Sequence, residues 1–234
     1  MIISNRKGPR KMKRTKLKER KLPGYSRGEE ICNMVTHTVG GGMAIIMLAL
    51  CVIYSAIKGN VWSVVGSAIY GGALVIMFTI SSIYHGLHIN MGKKVMQVID
   101  HCDIYFLIAG TYTPILLSAI RPTHPFIAWI IFGIEWAMAS FAATLNAIDL
   151  KKYTKLSMAC YIVMGWCIVI ALKPTIECIG LTGFIWLFAG GIAYTIGAIL
   201  YALGKKRKYF HSVFHVFVVV GALLQFISIF FYVL

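Results

Sequence analysis

The last apolar run of the chain opens with Phe210-His211-Ser212-Val213-Phe214-His215, two imidazoles four residues apart in a stretch otherwise suited to hydrocarbon. On a helix, positions i and i+4 project from one face, so His211 and His215 present two ring nitrogens to one point. Polar groups inside a membrane are costly and mark functional sites. Ser81 and His85 repeat the same spacing in Ser81-Ser82-Ile83-Tyr84-His85, and Asp100 opens Asp100-His101-Cys102-Asp103-Ile104-Tyr105. Three imidazoles, a carboxylate and a hydroxyl make the donor set of an open zinc site, where zinc takes three protein ligands and keeps a water in the fourth position. Plainer readings exist. A single membrane histidine is a hydrogen-bonded helix contact, the reading retained for His37, His88 and His101. Asp100 is also an acid at a helix N-terminus, where it is favourable, with Asp103 one turn on as a pairing partner. For His85 with the His211/His215 pair, metal is favoured.

Whether these groups can meet depends on the elements that carry them. Of the 234 residues 59% are hydrophobic and 13% charged, with a mean hydropathy of +0.76, against about 45–50% and about 25% in soluble domains. Crossing a ~30 Å hydrocarbon layer takes about 20 helical residues. Seven runs qualify: Val35–Ile57, Val61–Leu87, Cys102–Ile120, Pro125–Ala147, Leu156–Leu172, Leu181–Leu203 and Ser212–Leu234. The expected fold is therefore an all-α integral membrane protein, a seven-transmembrane helix bundle. Pro114 should kink the third run near Gly110, and the fifth stops at Pro174. Gly40-Gly41-Gly42, Gly71-Gly72 and Ala189-Gly190-Gly191 read as close helix packing.

Charge orients the bundle. Of the 23 Lys and Arg, 20 lie in the first 30 residues and in the loops after runs two, four and six, leaving only Lys58, Arg121 and Lys173 on the other side. The positive-inside rule then gives a cytoplasmic N-terminus and an outside C-terminus. On that topology His37, His85, His88, His101, His211 and His215 all lie within roughly 15 Å of the inner boundary, with His124 alone outside. Residues far apart in sequence share one depth.

The same distribution accounts for the net charge of +15 without nucleic acid, for which no motif or interleaved aromatics speak. Residues 1–30 read as a disordered basic cytoplasmic arm attracted to anionic headgroups, and residues 31–234 as the membrane domain. The six cysteines form no CxxC pair and read as small hydrophobes in helices. Glu135, in the middle of run four, is the one deep carboxylate outside the cytoplasmic cluster, with Asn146 near the inner end.

Together, Glu30-Ile-Cys-Asn33-Met-Val-Thr36-His37, Ser81-x-x-Tyr84-His85, the segment Asp100 to Pro114 and His211-Ser-Val-Phe-His215 resemble the hemolysin III branch of the progestin and adipoQ receptor family. The resemblance runs from about residue 28 to residue 234. It implies zinc held by His85, His211 and His215 near the cytoplasmic face, with Asp100 on a zinc-bound water and Ser81 beside it. Cys102 departs from the Ser that relatives commonly carry there. Because the wider superfamily includes zinc-dependent hydrolases of lipid amides, the resemblance implies a cell-membrane protein whose partners are membrane lipids, as substrate or effector. Three classes stay open: a zinc lipid hydrolase acting on an amide or ester in lipid homeostasis, a non-enzymatic membrane sensor with structural zinc, and a pore-forming or hemolytic protein.

Overall fold

Ser26 starts the first helix. Its Oγ accepts from the Glu29 backbone N–H at 3.4 Å while Glu29 Oε2 accepts from the Ser26 N–H at 2.9 Å, a reciprocal cap that satisfies two otherwise orphaned donors. The computed structural model describes residues 14–204 and 207–234. Within them the regular structure is helical throughout: α1 Arg27–Lys58, α2 Val61–Gly86, α3 Met91–Pro114, α4 Pro125–Asp149, α5 Thr154–Gly165, α6 Leu172–Leu203 and α7 Phe210–Ser228. Asn60 and Asn90 cap α2 and α3 through their side-chain oxygens, and Pro125 takes the first position of α4, where its missing N–H costs nothing.

Among the described residues, six helical stretches are long and apolar enough to cross a membrane. They present large apolar side chains outward, among them Ile46, Ile170 and Leu181, each more than half exposed. The interior instead holds Asn33, Glu135, Asn146, His85 and His215, each at most 2% exposed. This inverts the soluble pattern and suits a surface solvated by lipid. The expected runs five and six fall together in the 50-residue stretch Thr154–Leu203. A straight helix of that length would measure about 75 Å, yet Trp166 Nε1 donates to Thr195 Oγ1 at 3.1 Å and its ring meets Phe188 edge-on. The chain therefore doubles back, and the reversal sits at Gly180, whose φ of 70° is open to glycine but disfavoured for other residues. The limb before it continues through Pro174, past the expected stop.

Further features differ from expectation. The third helix begins at Met91, capped by Asn90, rather than near Cys102, so Asp100 lies inside it and not at its N-terminus. The first helix begins at Arg27 rather than Val35, because the Ser26 cap and not the onset of apolarity sets its start. Helix α3 stays regular through Gly110, and the irregularity follows Pro114 as a wider π turn, Ile115–Ile120, closed by Arg121 N–H donating to Leu116 O. Only part of the glycine pattern is used for contact. A methyl at Gly71 would lie 2.7 Å from Leu48 Cα and one at Gly190 2.5 Å from Gln225 Cγ, whereas Gly42, Gly72 and Gly191 face open space. A methyl at Gly66 would likewise lie 2.8 Å from Pro114 Cα, so its absence lets α2 and α3 pack closely as small residues do in membranes. All six cysteines are free thiols.

Residues 14–26, expected within a disordered arm, form a strap across the end of the bundle where α1 and α7 begin. Arg14 Nε donates to Ile148 O, the Thr15 N–H donates to Asp149 Oδ2 at 2.7 Å, and Lys94 Nζ donates to Lys18 O. A short 3-10 turn, Leu17–Glu19, lies within it. The remainder of the expected arm, residues 1–13, and the loop cations Lys205 and Lys206 lie outside the described residues.

Candidate metal centre

Three helix ends meet beneath the strap: the start of α1, the end of α2 and the start of α7. Their alignment has a local cause. Glu29, already capping α1, accepts from the Tyr209 N–H at 2.8 Å, and Tyr209 is the residue that turns into α7 with a φ of 61°. One carboxylate thus ties both helix starts together and sets the depth of His211 and His215.

His85, His211 and His215 form a buried cluster whose candidate ligand atoms all lie within 4.8 Å of one another. His211 Nε2 and His215 Nε2 are 3.1 Å apart, close to the roughly 3.3 Å edge of a tetrahedron of nitrogens about zinc. On His85, Nδ1 lies 2.6 Å from Glu30 Oε2. A carboxylate only accepts, so the proton sits on Nδ1; Asn33 Nδ2 lies 3.3 Å from the same nitrogen, a packing contact in that tautomer and not a hydrogen bond. His85 Nε2 is left buried with no hydrogen-bond partner among the described residues. A buried polar atom without a partner requires an explanation. A cation in reach of all three rings supplies one, and a carboxylate behind a ligating imidazole is the usual support of such a ligand. The donor set therefore fits a zinc ion.

Glu30 is in turn held by Lys93 Nζ, 2.7 Å from its Oε1, and Lys93 also donates to Leu87 O at 3.0 Å. Asn33 Oδ1 accepts from Ser212 Oγ at 2.6 Å, which joins α1 to α7. His37 stacks on His215 at 3.7 Å and meets Phe78 edge-on, so the expected helix contact is also a brace for one candidate ligand. Tyr25 of the strap stacks on His211 at 4.8 Å. His101 bridges α3 to α6 through Tyr201 OH at 3.2 Å. His88 is exposed.

A cavity of about 920 Å³ opens beside the cluster. His211, His215, Ser81 and Asp100 all line it. Asp100 Oδ2 lies 3.6 Å from His101 Nδ1, and neither Asp100 nor Ser81 has a direct hydrogen bond to the three histidines among the described residues. Asp103 lines a separate groove with Phe106 and Trp136, and its Oδ2 has no hydrogen-bond partner among the described residues. Glu135 is fully buried in α4 without a hydrogen-bond partner among the described residues, outside this lining. Glu30 and Asn33, which the motif reading quotes without a role, are the α1 residues that contact His85. With His37 they fall at i, i+3 and i+7, one helix face, which was the available signal.

Residues 25–226 match the family described as "Haemolysin-III related". The chain belongs to that family. Within the haemolysin-III-related family, it is similar to Hemolysin-3 of Bacillus cereus, with 36% identity over 206 residues that cover 88% of this chain and 92% of that protein. A Hemolysin-3 homolog of Bacillus subtilis (strain 168) is 35% identical over 204 residues, 87% of this chain and 94% of its own. A more distant relative is the human monocyte to macrophage differentiation factor, 25% identical over 209 residues, 86% and 83% of the two chains. The hemolysin III resemblance read from the motifs is thus correct, and family membership together with six apolar helices makes this a multi-pass membrane protein.

Proposed function

We propose that this haemolysin-III-related protein is a zinc-dependent hydrolase of a lipid amide or ester, acting in membrane lipid homeostasis. The observation that carries the proposal is the pairing of an unpartnered His85 Nε2, inside a three-histidine cluster, with a chamber of about 920 Å³ that also holds Asp100 and Ser81. That volume is within the range of ligand sites, about 300–1,000 Å³. His85, His211 and His215 would hold the ion, with Glu30 fixing the tautomer of His85 and His37 and Tyr25 bracing the other two rings. Zinc bound there would polarise a carbonyl and bring the pKa of a coordinated water to about 7. Asp100 accepts a proton within the chamber, and Ser81 donates a hydrogen bond to the oxygen of the scissile carbonyl. The chamber walls bury the acyl chain and limit water.

The cluster also joins α1, α2 and α7, so a structural zinc in a membrane sensor is the second reading. Asp100→Asn separates the two. It should retain zinc, because Asp100 is not a ligand, and lose about 10²-fold or more in turnover of a lipid amide or ester panel. Wild-type protein that carries zinc and turns over none of the panel supports the sensor.

The orientation belongs to the same proposal. With seven crossings and 20 of 23 cations on one side, the chamber mouth and strap are cytoplasmic. A reporter fused at Leu234 should read outside, and a cytoplasmic signal there would remove one crossing.

A further inference from the structure

Arg20 occupies a place where a charge is rarely left. It is 8% exposed, lies in the strap and lines the chamber. Its Nε and Nη1 have no hydrogen-bond partner among the described residues, and none of their carboxylates comes within the 4.0 Å of an ion pair. Arginine is almost never buried unless paired. Asp149 is the acid whose field reaches it, but it forms no ion pair with Arg20, and its two oxygens accept from the N–H groups of Thr15 at 2.7 Å and Lys152 at 3.1 Å. Glu29, on the same lining, is spent on Ser26 and Tyr209. Asp100 sits beside His101.

Around Arg20 the chamber rim carries Lys21, Lys151, Arg207 and Lys208, all exposed. Further in, the walls are apolar, with Ile104, Ile108, Met158, Ile162 and Phe214 among them. A buried guanidinium with two unpartnered N–H donors, on a residue of the lining, a basic rim and an apolar interior are complementary to one kind of molecule. An oxyanion satisfies the guanidinium in two-point fashion, as phosphate and carboxylate do, and a hydrocarbon chain fills the interior.

We infer that the chamber takes an amphiphile with an anionic oxyanion headgroup, phosphate or carboxylate, gripped by Arg20 while its acyl chain lies among α3, α5 and α7. This assigns a substrate or effector class to the chamber invoked above and rests on that reading of it. It also gives the strap a role, because the headgroup contact comes from the segment that covers the mouth.

The test uses the full-length, zinc-loaded protein in detergent and four probes: a twelve-carbon lysophosphatidic acid, laurate, uncharged monolaurin and inorganic phosphate. Binding is read by titration and by the shift in melting temperature, so no turnover is needed. Lysophosphatidic acid and laurate should each bind at least ten-fold more tightly than monolaurin, and inorganic phosphate should bind weakly. Arg20→Gln should abolish the preference for the charged amphiphiles with zinc content unchanged, and Arg20→Lys should keep only part of it. Equal binding of monolaurin, or an intact preference in Arg20→Gln, overturns the assignment. Phosphate alone binding as tightly as lysophosphatidic acid overturns the lipid and leaves a free anion. Should Arg20→Gln fail to fold, an unchanged preference in Arg20→Lys overturns it equally. Wild-type protein that hydrolyses nothing yet retains the preference counts against the hydrolase and not against this site.

Discussion

Purified His211→Ala/His215→Ala protein should carry background zinc, against about one ion per chain in the parent. The double substitution removes two of three imidazoles whose candidate ligand atoms lie within 4.8 Å of one another. Structural zinc sites are worth about 10–16 kcal/mol, and one remaining ring cannot hold the ion against water. Elemental analysis of the purified protein reads the result directly. Because His215 also stacks on His37, part of any instability comes from lost packing. His211→Gln/His215→Gln fills more of that space and should show the same metal loss. Added zinc should raise the melting temperature of the parent, by linkage worth about 2.7 kcal/mol at 100 times Kd, and leave both variants unmoved. Full occupancy in either double variant would return these residues to helix contacts.

Glu30→Gln should weaken zinc binding about 10- to 100-fold while destabilising the bundle. The two effects have separate causes. The neutral amide still accepts from His85 Nδ1 but no longer offsets charge on the ring, so the ligand is a poorer donor. Lys93, 3% exposed, loses the carboxylate 2.7 Å from its Nζ, and an uncompensated buried charge costs about 3 kcal/mol or more. The Glu30→Gln/Lys93→Met pair distinguishes them. Removing the stranded ammonium should recover most of the melting temperature and none of the zinc affinity, measured by competition with a chelator. Recovery of both together would show that Glu30 acts only through packing.

The helical runs were legible because their signal is length, which hydrocarbon thickness fixes. Their ends were less so, since local chemistry decides them. Ser26 and Glu29 spell a capping box, yet the onset of apolarity at Val35 is the louder cue. At the fifth run Pro174 looks like a stop, but proline is tolerated in the first turn of α6, and Gly180 makes the reversal. His211 and His215 could be paired from spacing alone. Glu30 could not be assigned to His85, because only the packing of α1 on α2 shows which face it meets. From its charge alone the strap reads as disordered. What orders residues 14–26 is tertiary: Tyr25 needs the ring of His211, and Thr15 needs Asp149 at the end of α4.

The cluster draws on the first two helices and the last, with Asn33 bonded to Ser212 across 179 positions. That fixes an order in time. As the chain leaves the ribosome, Glu30, Asn33, His37 and His85 enter the bilayer without the partners that α7 brings, and they must wait, hydrated or at the headgroup boundary, until Phe210–Ser228 is made. A chain interrupted anywhere before α7 keeps those polar groups exposed to lipid, which is a lasting mark for quality control to recognise. Insertion of Phe210–Ser228 and closure of the centre are the same event.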